Sequence, residues 1–257
     1  MGEIDTMGSD KLTEYVTTGD YDAINIYGNY SGHFGKHNLD LMVGFGQESM
    51  YSKTIQASTQ GLISDELNSL GLGTTADDAT GSAYEWALQG VYSRLSYNFD
   101  NKYFLEFNGR YDGTSRFPSD YRWGFFPSVS AAWAIHNEGF MKGSDKVLSR
   151  AKLRASYGTL GNQDVNPYAY QSVLSRYVLD RFSLSGSPLE FITSPGLNPT
   201  EITWEEVRTL DFGVDLGFLK NQLNINFDWF KRETLGMLTA GQILPAVLGA
   251  SAPQENA

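Results

Sequence analysis

The sequence contains no cysteine, which excludes disulfides, thiolate catalysis and zinc sites with cysteine ligands. Basic residues are also scarce, because 19 Lys and Arg stand against 30 Asp and Glu and the formal net charge is −11. A nucleic-acid partner needs a surplus of positive charge, so this class of partner is excluded. No run approaches the ~18 to 20 apolar residues that a membrane-spanning helix needs. Any membrane contact would therefore have to be made by β-strands.

What the chain does have is a two-residue alternation of apolar and polar side chains, clearest over residues 103–133. Tyr103, Leu105 and Phe107 alternate with residues that include Glu106 and Asn108. Successive side chains of a strand point to opposite faces, so the pattern predicts a sheet with one apolar and one polar face. The same alternation recurs at residues 24–34, 39–45, 95–99, 125–135, 153–157, 210–218 and 223–229. About eight antiparallel strands are predicted.

The connections between these strands differ in length in a regular way. Short turns are predicted at residues 35–37, 100–102 and 220–222, and long polar segments at residues 47–82, 158–201 and beyond 235. Alternate connections of an up-and-down sheet lie at opposite ends, so short turns collect at one end and long loops at the other, as in outer-membrane barrels. Phe34, Phe99, Tyr103 and Phe218 flank the short turns, as an aromatic girdle would. The predicted fold class is an all-β, antiparallel up-and-down transmembrane β-barrel.

Residues 112–117 form a loop that could hold a sugar or a peptide, because Asp, Ser and Arg occur together at a strand end. Turn chemistry explains the same residues, and we interpret the loop as structural. Gly113 would supply special backbone angles, and Arg116 would pair with Asp112. The motif residues assigned a structural role are Asp112, Gly113, Arg116, Phe117, Trp123, Gly124 and Pro127. Trp123 and Trp133 are interpreted as packing or interfacial aromatics.

No catalytic, cofactor or metal site is predicted, so the chain is not expected to be an enzyme. His33 and His37 are four residues apart, a spacing that brings two ligands to one face only in a helix. Glu205 and Glu206 are adjacent in a strand, so they point to opposite faces and cannot flank one glycosidic bond. No nucleophile elbow, phosphate-binding loop or dinucleotide fingerprint occurs in the sequence.

Aromatic side chains in external loops are the candidate ligand contacts, because flat amphipathic rings near water can stack on a sugar or a peptide. Ordinary loop packing is the alternative role for the same rings. The candidates are Tyr84, Trp86, Tyr168, Tyr170 and Tyr177.

Several long motifs, in order, resemble the barrel of SusC/RagA-type TonB-linked outer-membrane transporters, also called TonB-dependent receptors. They are YDGTSRF (111–117), RWGFFPSVSAAW (122–133), KLRASYG (152–158) and GNQ (161–163). Shorter pieces with the same resemblance are FGKHNL (34–39), NP (198–199), WE (204–205) and GVD (213–215). The resemblance covers most of residues 21–257.

The resemblance implies that residues 1–257 are part of a larger barrel domain in the outer membrane of a Gram-negative bacterium of the Bacteroidetes. The signal peptide, the plug domain, the TonB box and the C-terminal strands are expected to be absent from this chain. It also implies nutrient uptake of oligosaccharides or peptides, with a SusD-like surface lipoprotein and the TonB-ExbB-ExbD complex, acting through the plug, as partners. Membrane lipids would surround the barrel.

Two other functions remain open at this point. A passive porin or adhesin barrel has the same strand pattern without energy coupling. A soluble β-sandwich that binds glycans is a second alternative, and it would be a stable monomer without detergent.

Overall fold

The computed structural model describes residues 11–62, 69–144, 147–174, 176–184, 187–192, 196–199, 201–241, 243–245, 247 and 252–257. Its strands are β1 (Lys11–Phe34), β2 (His37–Gln60), β3 (Thr75–Phe99), β4 (Tyr103–Thr114), β5 (Trp123–Ala134), β6 (Leu148–Asn162), β7 (Arg176–Leu184), β8 (Ser187–Ile192), β9 (Glu205–Phe218), β10 (Leu223–Leu235), β11 (Leu238–Ala240) and β12 (Gln254–Asn256). Single 3-10 turns occur at Leu70–Leu72, Ser119–Tyr121, Ile135–Asn137 and Gly139–Met141. No helix in the described ranges is long and apolar enough to span a membrane.

Eight of these strands form one sheet in the order β1-β2-β3-β4-β5-β6-β9-β10. From β3 to β10, neighbouring strands pair in antiparallel orientation. The β7–β8 hairpin lies between β6 and β9 in the chain and forms its own two-stranded sheet, as do β11 and β12. The predicted count of about eight strands in an antiparallel meander is confirmed.

The strand register places apolar residues beside apolar residues and polar residues beside polar ones. One row of paired residues runs through Tyr103, Trp133, Leu153, Val214 and Phe227. A row on the other side runs through Glu106, Ser130, Ser156 and Asp211. We call the side that carries the first row the apolar face and the side that carries the second row the polar face.

Many large side chains of the apolar face are exposed to solvent. Phe107, Phe125, Phe227 and Trp229, which lie on this face, are all exposed. Soluble monomers rarely expose a contiguous apolar patch of more than a few hundred Å². A sandwich would bury this face against a second sheet, whereas the large sheet here is single. The face therefore requires a non-aqueous neighbour.

The chain divides into two compact units. The first contains residues 1–23 and 48–87, in which Thr17 and Thr54 share a hydroxyl hydrogen bond of 3.0 Å and Thr74 N donates to Gln60 O at 3.0 Å. The second contains residues 24–47 and 88–257. It includes all of strands β4 to β12, whereas Tyr84 and Trp86 belong to the first unit.

The predicted long loops are partly strands. The segment at residues 47–82 was predicted as a connection, but β2 continues to Gln60 and β3 begins at Thr75, which leaves residues 61–74. The second half of β2 lacks a regular alternation of apolar and polar side chains, yet its residues Tyr51, Thr54 and Ile55 favour an extended backbone. The segment at residues 158–201 likewise contains the end of β6 and the β7–β8 hairpin.

On the polar face, glycines allow long side chains to lie flat across a neighbouring strand. Arg154 of β6 reaches over Gly213 of β9, and its Nη2 contacts Asp215 Oδ1 at 2.9 Å and Asp228 Oδ1 of β10 at 2.8 Å. A Cβ at position 213 would lie 2.5 Å from Asp228 Oδ1 and 2.7 Å from Arg154 Cζ. Tyr92 crosses Gly44 of β2 in the same way, and its hydroxyl donates to Asn25 Oδ1 of β1 at 2.5 Å.

We expect Gly213→Ala to destabilise the full-length protein by ~1 to 3 kcal/mol, because the added methyl separates Arg154 from Asp228. The midpoint of heat-induced unfolding, followed by the mobility of the folded barrel on SDS gels, measures this. Gly28→Ala is the matched control, because a Cβ there meets nothing within 4 Å. Equal midpoints for the two variants would contradict the role assigned to Gly213.

Candidate functional site

A small buried cluster holds several connections together. Phe117, Val165 and Ile202 are fully or almost fully buried and lie in the connections that follow β4, β6 and β8. We call these three residues the connector cluster. Side chains packed against it are Ala169, Tyr170, Trp204 and Leu238. Since the three connections are distant in sequence, this cluster fixes their relative positions.

Hydrogen bonds to backbone carbonyls reinforce the connector cluster. Arg116 Nη1 donates to Val165 O at 2.9 Å, and Trp204 Nε1 donates to Arg122 O at 3.0 Å. Thr203 Oγ1 donates to Tyr121 O at 3.0 Å. Each bond joins a side chain of one connection to the backbone of another.

Asn256 ties the end of the chain to the same region. Its Oδ1 accepts a hydrogen bond from Thr203 N at 2.9 Å, and its Nδ2 donates to Thr203 O at 3.1 Å and Gly236 O at 2.6 Å. One amide side chain thereby satisfies three backbone groups on two segments. This pairing was not predicted, because it joins residues 53 positions apart.

The predicted pairing of Arg116 with Asp112 is wrong. Asp112 is held by Arg110, whose Nε and Nη2 each donate to a carboxylate oxygen at 3.0 Å, while Arg116 bonds to the Val165 carbonyl. Arg110 and Asp112 are two residues apart in β4, so their side chains share the polar face. Asp112 therefore pairs with an arginine on the same face of its own strand and not with the arginine that follows in the turn.

The backbone role predicted for Gly113 is also wrong. Gly113 lies within β4, opposite Trp123, and has no positive φ. A Cβ there would lie 2.6 Å from the Trp123 ring, so glycine is required by the close approach of that ring. Trp123 in turn stacks on Tyr111 with a centroid distance of 5.0 Å.

Gly124 and Pro127 also fit the packing around β5. A Cβ on Gly124 would lie 2.5 Å from the Phe126 ring and 3.1 Å from Trp204, which stands edge-on to Phe126. Pro127 has no backbone N–H, and its carbonyl accepts a hydrogen bond from Thr159 Oγ1 at 3.2 Å.

The candidate ligand aromatics belong to different elements of the structure. Tyr84 and Trp86 lie within β3, so their predicted loop placement is wrong, because β3 is longer than the alternation indicated. Tyr170 packs against the connector cluster, whereas Tyr168 sits in the same connection with φ 64°. Tyr177 lies in β7 and stacks on Phe191 at 5.8 Å.

The polar face carries two neighbouring cavities of about 520 and 530 Å³ that share Glu106. Glu106 accepts hydrogen bonds from Ser96 Oγ at 2.9 Å and Asn108 Nδ2 at 3.0 Å. Other lining residues are Phe104, Ser130, Lys152, Arg154, Ser156 and Asp211 in the first cavity, and Tyr92, Arg94, Arg110, Phe126, Ser128 and Thr209 in the second. Hydroxyls, amides and charges of both signs make these surfaces able to hydrogen-bond a polar neighbour. The lining residues of these cavities come from neighbouring strands, so predicting them from the sequence would have required the strand register.

At the end of the short turns, an ion-pair network links three connections. Asp100 contacts Lys36 Nζ at 3.1 Å and Lys102 Nζ at 3.3 Å, and Lys102 Nζ also contacts Glu138 Oε2 at 3.3 Å. The hydrogen bond from Lys36 is the main cause of a lowered pKa of Asp100. The hydrogen bond from Tyr103 is the main cause of a lowered pKa of Glu138, and the hydrogen bond from Trp133 is the second cause. The hydrogen bond to Glu138 is the main cause of a raised pKa of Lys102, and the hydrogen bond to Asp100 is the second cause.

The histidines take part in side-chain contacts. His37 Nδ1 lies 2.6 Å from Tyr97 Oη, and the ring of His33 contacts Asn38 Oδ1. Among the residues that the structure describes, no group of three or more His, Asp or Glu side chains is placed to hold a metal ion.

The chain is similar to known proteins over almost its whole length. Residues 4–256 match the family model described as TonB dependent receptor-like, beta-barrel. Over 252 residues the chain is 28% identical to TonB-dependent receptor P3 of Formosa agariphila, and over 223 residues it is 31% identical to TonB-dependent receptor SusC of Bacteroides thetaiotaomicron. It also resembles the solved structure of the RagAB peptide transporter, with a TM-score of 0.82, 25% identity and 96% of this chain covered.

The matches cover most of this chain but a small part of each relative. The chain spans 25% of the Formosa receptor, 22% of SusC and 27% of the RagAB chain.

Loss of the Phe117 ring should open the connections locally. Phe117→Ala removes a fully buried ring, for which a cost of ~3 to 5 kcal/mol is typical, so hydrogen exchange in residues 163–174 should accelerate about 100-fold or more. Hydrogen exchange with mass spectrometry of the full-length protein measures this. Phe125→Ala, which removes an exposed ring on the apolar face of β5, should leave the rate unchanged. Equal acceleration in both variants would show that the cluster does not anchor this connection.

Proposed function

Because the chain belongs to the family of TonB-dependent receptor-like β-barrels, we propose that it forms part of the wall of an outer-membrane transporter that imports oligosaccharides or peptides. The observation that carries this proposal is the exposed apolar face of a single sheet whose other face is polar. Lipid would cover the first face, and the second would line the lumen.

The aromatic pairs on the apolar face support this placement. Tyr103 stacks on Trp133 near the short turns with a centroid distance of 6.3 Å, and Tyr111 stacks on Trp123 further along the same two strands. The eight steps from Tyr103 to Tyr111 span about 26 Å along β4 at ~3.3 Å per residue, which is about 20 Å of height for a strand tilted by ~35–45°. Outer-membrane barrels have an apolar band ~25 Å tall between two aromatic girdles.

The polar face would contribute no chemical step. Its paired charges, such as Arg154 with Asp215 and Arg110 with Asp112, present a hydrated wall of balanced charge. The hydroxyl-rich cavities around Glu106 would contact a polar neighbour in the lumen, either the plug or a passing ligand. The role of this segment is therefore positioning and enclosure.

The proposed partners act on the whole transporter. A SusD-like surface lipoprotein would cover the end with the long connections, and the TonB-ExbB-ExbD complex would act from the other side through the plug region. Similarity to SusC and to the RagAB peptide transporter supports both partners. Similarity to receptors of Bacteroides and Formosa supports a location in an outer membrane of the Bacteroidetes type.

Ligand contacts are proposed for the aromatics near the long connections. Tyr168 and Tyr177 are exposed, and Tyr177 presents a stacked pair with Phe191. Tyr170 is the weaker candidate because its ring packs on the connector cluster. Tyr84 and Trp86 would contribute from strand β3.

Uptake in strains with and without TonB tests the proposal. In a strain that depends on the full-length protein, we expect removal of TonB to reduce uptake of fluorescent oligosaccharides or oligopeptides at least ten-fold, with the protein still in the outer-membrane fraction. Influx of a small solute through general porins is the control and should not change.

Two results would contradict this function. Uptake that persists without TonB would identify a passive barrel, which has the same strand pattern. Recovery of the full-length protein in the soluble fraction would favour the glycan-binding alternative.

A further inference from the structure

The connection between β5 and β6 passes along the apolar side of the sheet. Glu138, which lies in this connection, accepts hydrogen bonds through Oε1 from Tyr103 Oη at 2.7 Å and Trp133 Nε1 at 3.1 Å. Both donor rings lie on the apolar face, in the row of paired residues nearest the β3–β4 turn. The connection is therefore held at the apolar face by two aromatics whose polar atoms point toward the short-turn end.

Beyond Glu138, this connection exposes large apolar side chains to solvent. Phe140 is 70% exposed, and Val147 is 66% exposed. The β9–β10 turn joins the same surface, because Leu219 N donates to Val147 O at 3.1 Å and the Leu219 side chain is 55% exposed. The exposed apolar surface at the short-turn end is thus built from two connections.

Two lysines accompany these apolar side chains. Lys142 and Lys220 are exposed, and neither makes an ion pair with any residue in the described ranges. At the same end of the sheet, Lys36 and Lys102 are both neutralised by carboxylates. In the part of the chain that the structure describes, lysines without a carboxylate partner therefore accompany the exposed apolar side chains.

We infer that Phe140, Lys142, Val147, Leu219 and Lys220 form a foot that binds anionic phospholipid headgroups in the membrane leaflet at the short-turn end. The foot continues the aromatic girdle of Tyr103 and Trp133, which places it at the depth of the headgroups. Phe140 inserts at the boundary of the acyl chains, and the two ammonium groups contact lipid phosphates. This inference rests on the proposed membrane placement of the sheet.

Spin labels in the full-length protein, placed in nanodiscs with phosphatidylglycerol and phosphatidylethanolamine, test the insertion of Phe140. These 257 residues contain no cysteine, so Phe140→Cys introduces a unique label site among them. Phe107→Cys on the apolar face is the lipid reference, and Phe230→Cys, 65% exposed on the polar face, is the matched aqueous reference. We expect the accessibility of the label at 140 to oxygen, relative to a water-soluble nickel complex, to lie between the two references and at least two-fold above that at 230.

The outcomes separate the foot from the proposed function. A label at 140 that matches the one at 230, while the one at 107 is in lipid, overturns the foot alone. Labels at 107 and 140 that are both water-accessible overturn the membrane placement as well.

Charge neutralisation tests the lysines independently. In the full-length protein, Lys142→Gln with Lys220→Gln should reduce the phosphatidylglycerol retained, measured by native mass spectrometry, because each lysine near an anionic surface contributes about five-fold in affinity. Lys36→Gln is the control, since Lys36 is already paired with Asp100. Equal phosphatidylglycerol retention in the double variant and the control would overturn the headgroup contact.

Discussion

The constraint on which the structure depends is the strand register. Side chains alternate with a period of two, so a slip of one residue between β4 and β5 would place Glu106 beside the apolar row of Phe107. The observed pairing instead continues that row through Val129, Tyr157 and Leu210 as far as β9. Sheet hydrogen bonds and the separation of the two faces therefore specify the same arrangement.

The two ends of the sheet are held by different physical means. At the short-turn end, ion pairs among Lys36, Asp100, Lys102 and Glu138 link three connections. At the other end, the burial of Phe117 with Val165 and Ile202 links three connections through side-chain packing. Between the ends, glycines such as Gly213 let Arg154 lie flat on the polar face. Ion pairs, buried side chains and hydrogen bonds therefore link strands and connections at both ends of the sheet and between them.

The sequence predicted the features that depend on local alternation and missed those that depend on distant partners. The eight strands and the two faces followed from the period of two at residues such as Tyr103 and Phe107. The second half of β2 was missed because its side chains do not alternate in polarity. The pairing of Arg110 with Asp112 could have been predicted, since residues two apart share a face, and Glu206 with Arg208 follows the same rule. The burial of Phe117 against Ile202 could not, because it depends on a fold-level contact across 85 residues.

We propose that one face of this sheet lies against lipid and that the other lines an aqueous lumen. Spin labels placed singly at residues 103–111 of β4, in the full-length protein in nanodiscs, measure it directly through accessibility to oxygen and to a water-soluble nickel complex. We expect oxygen-accessible labels at 103, 105, 107, 109 and 111, with the intervening positions shielded from lipid. Uniform accessibility along the strand, or an alternation of opposite phase, would contradict it.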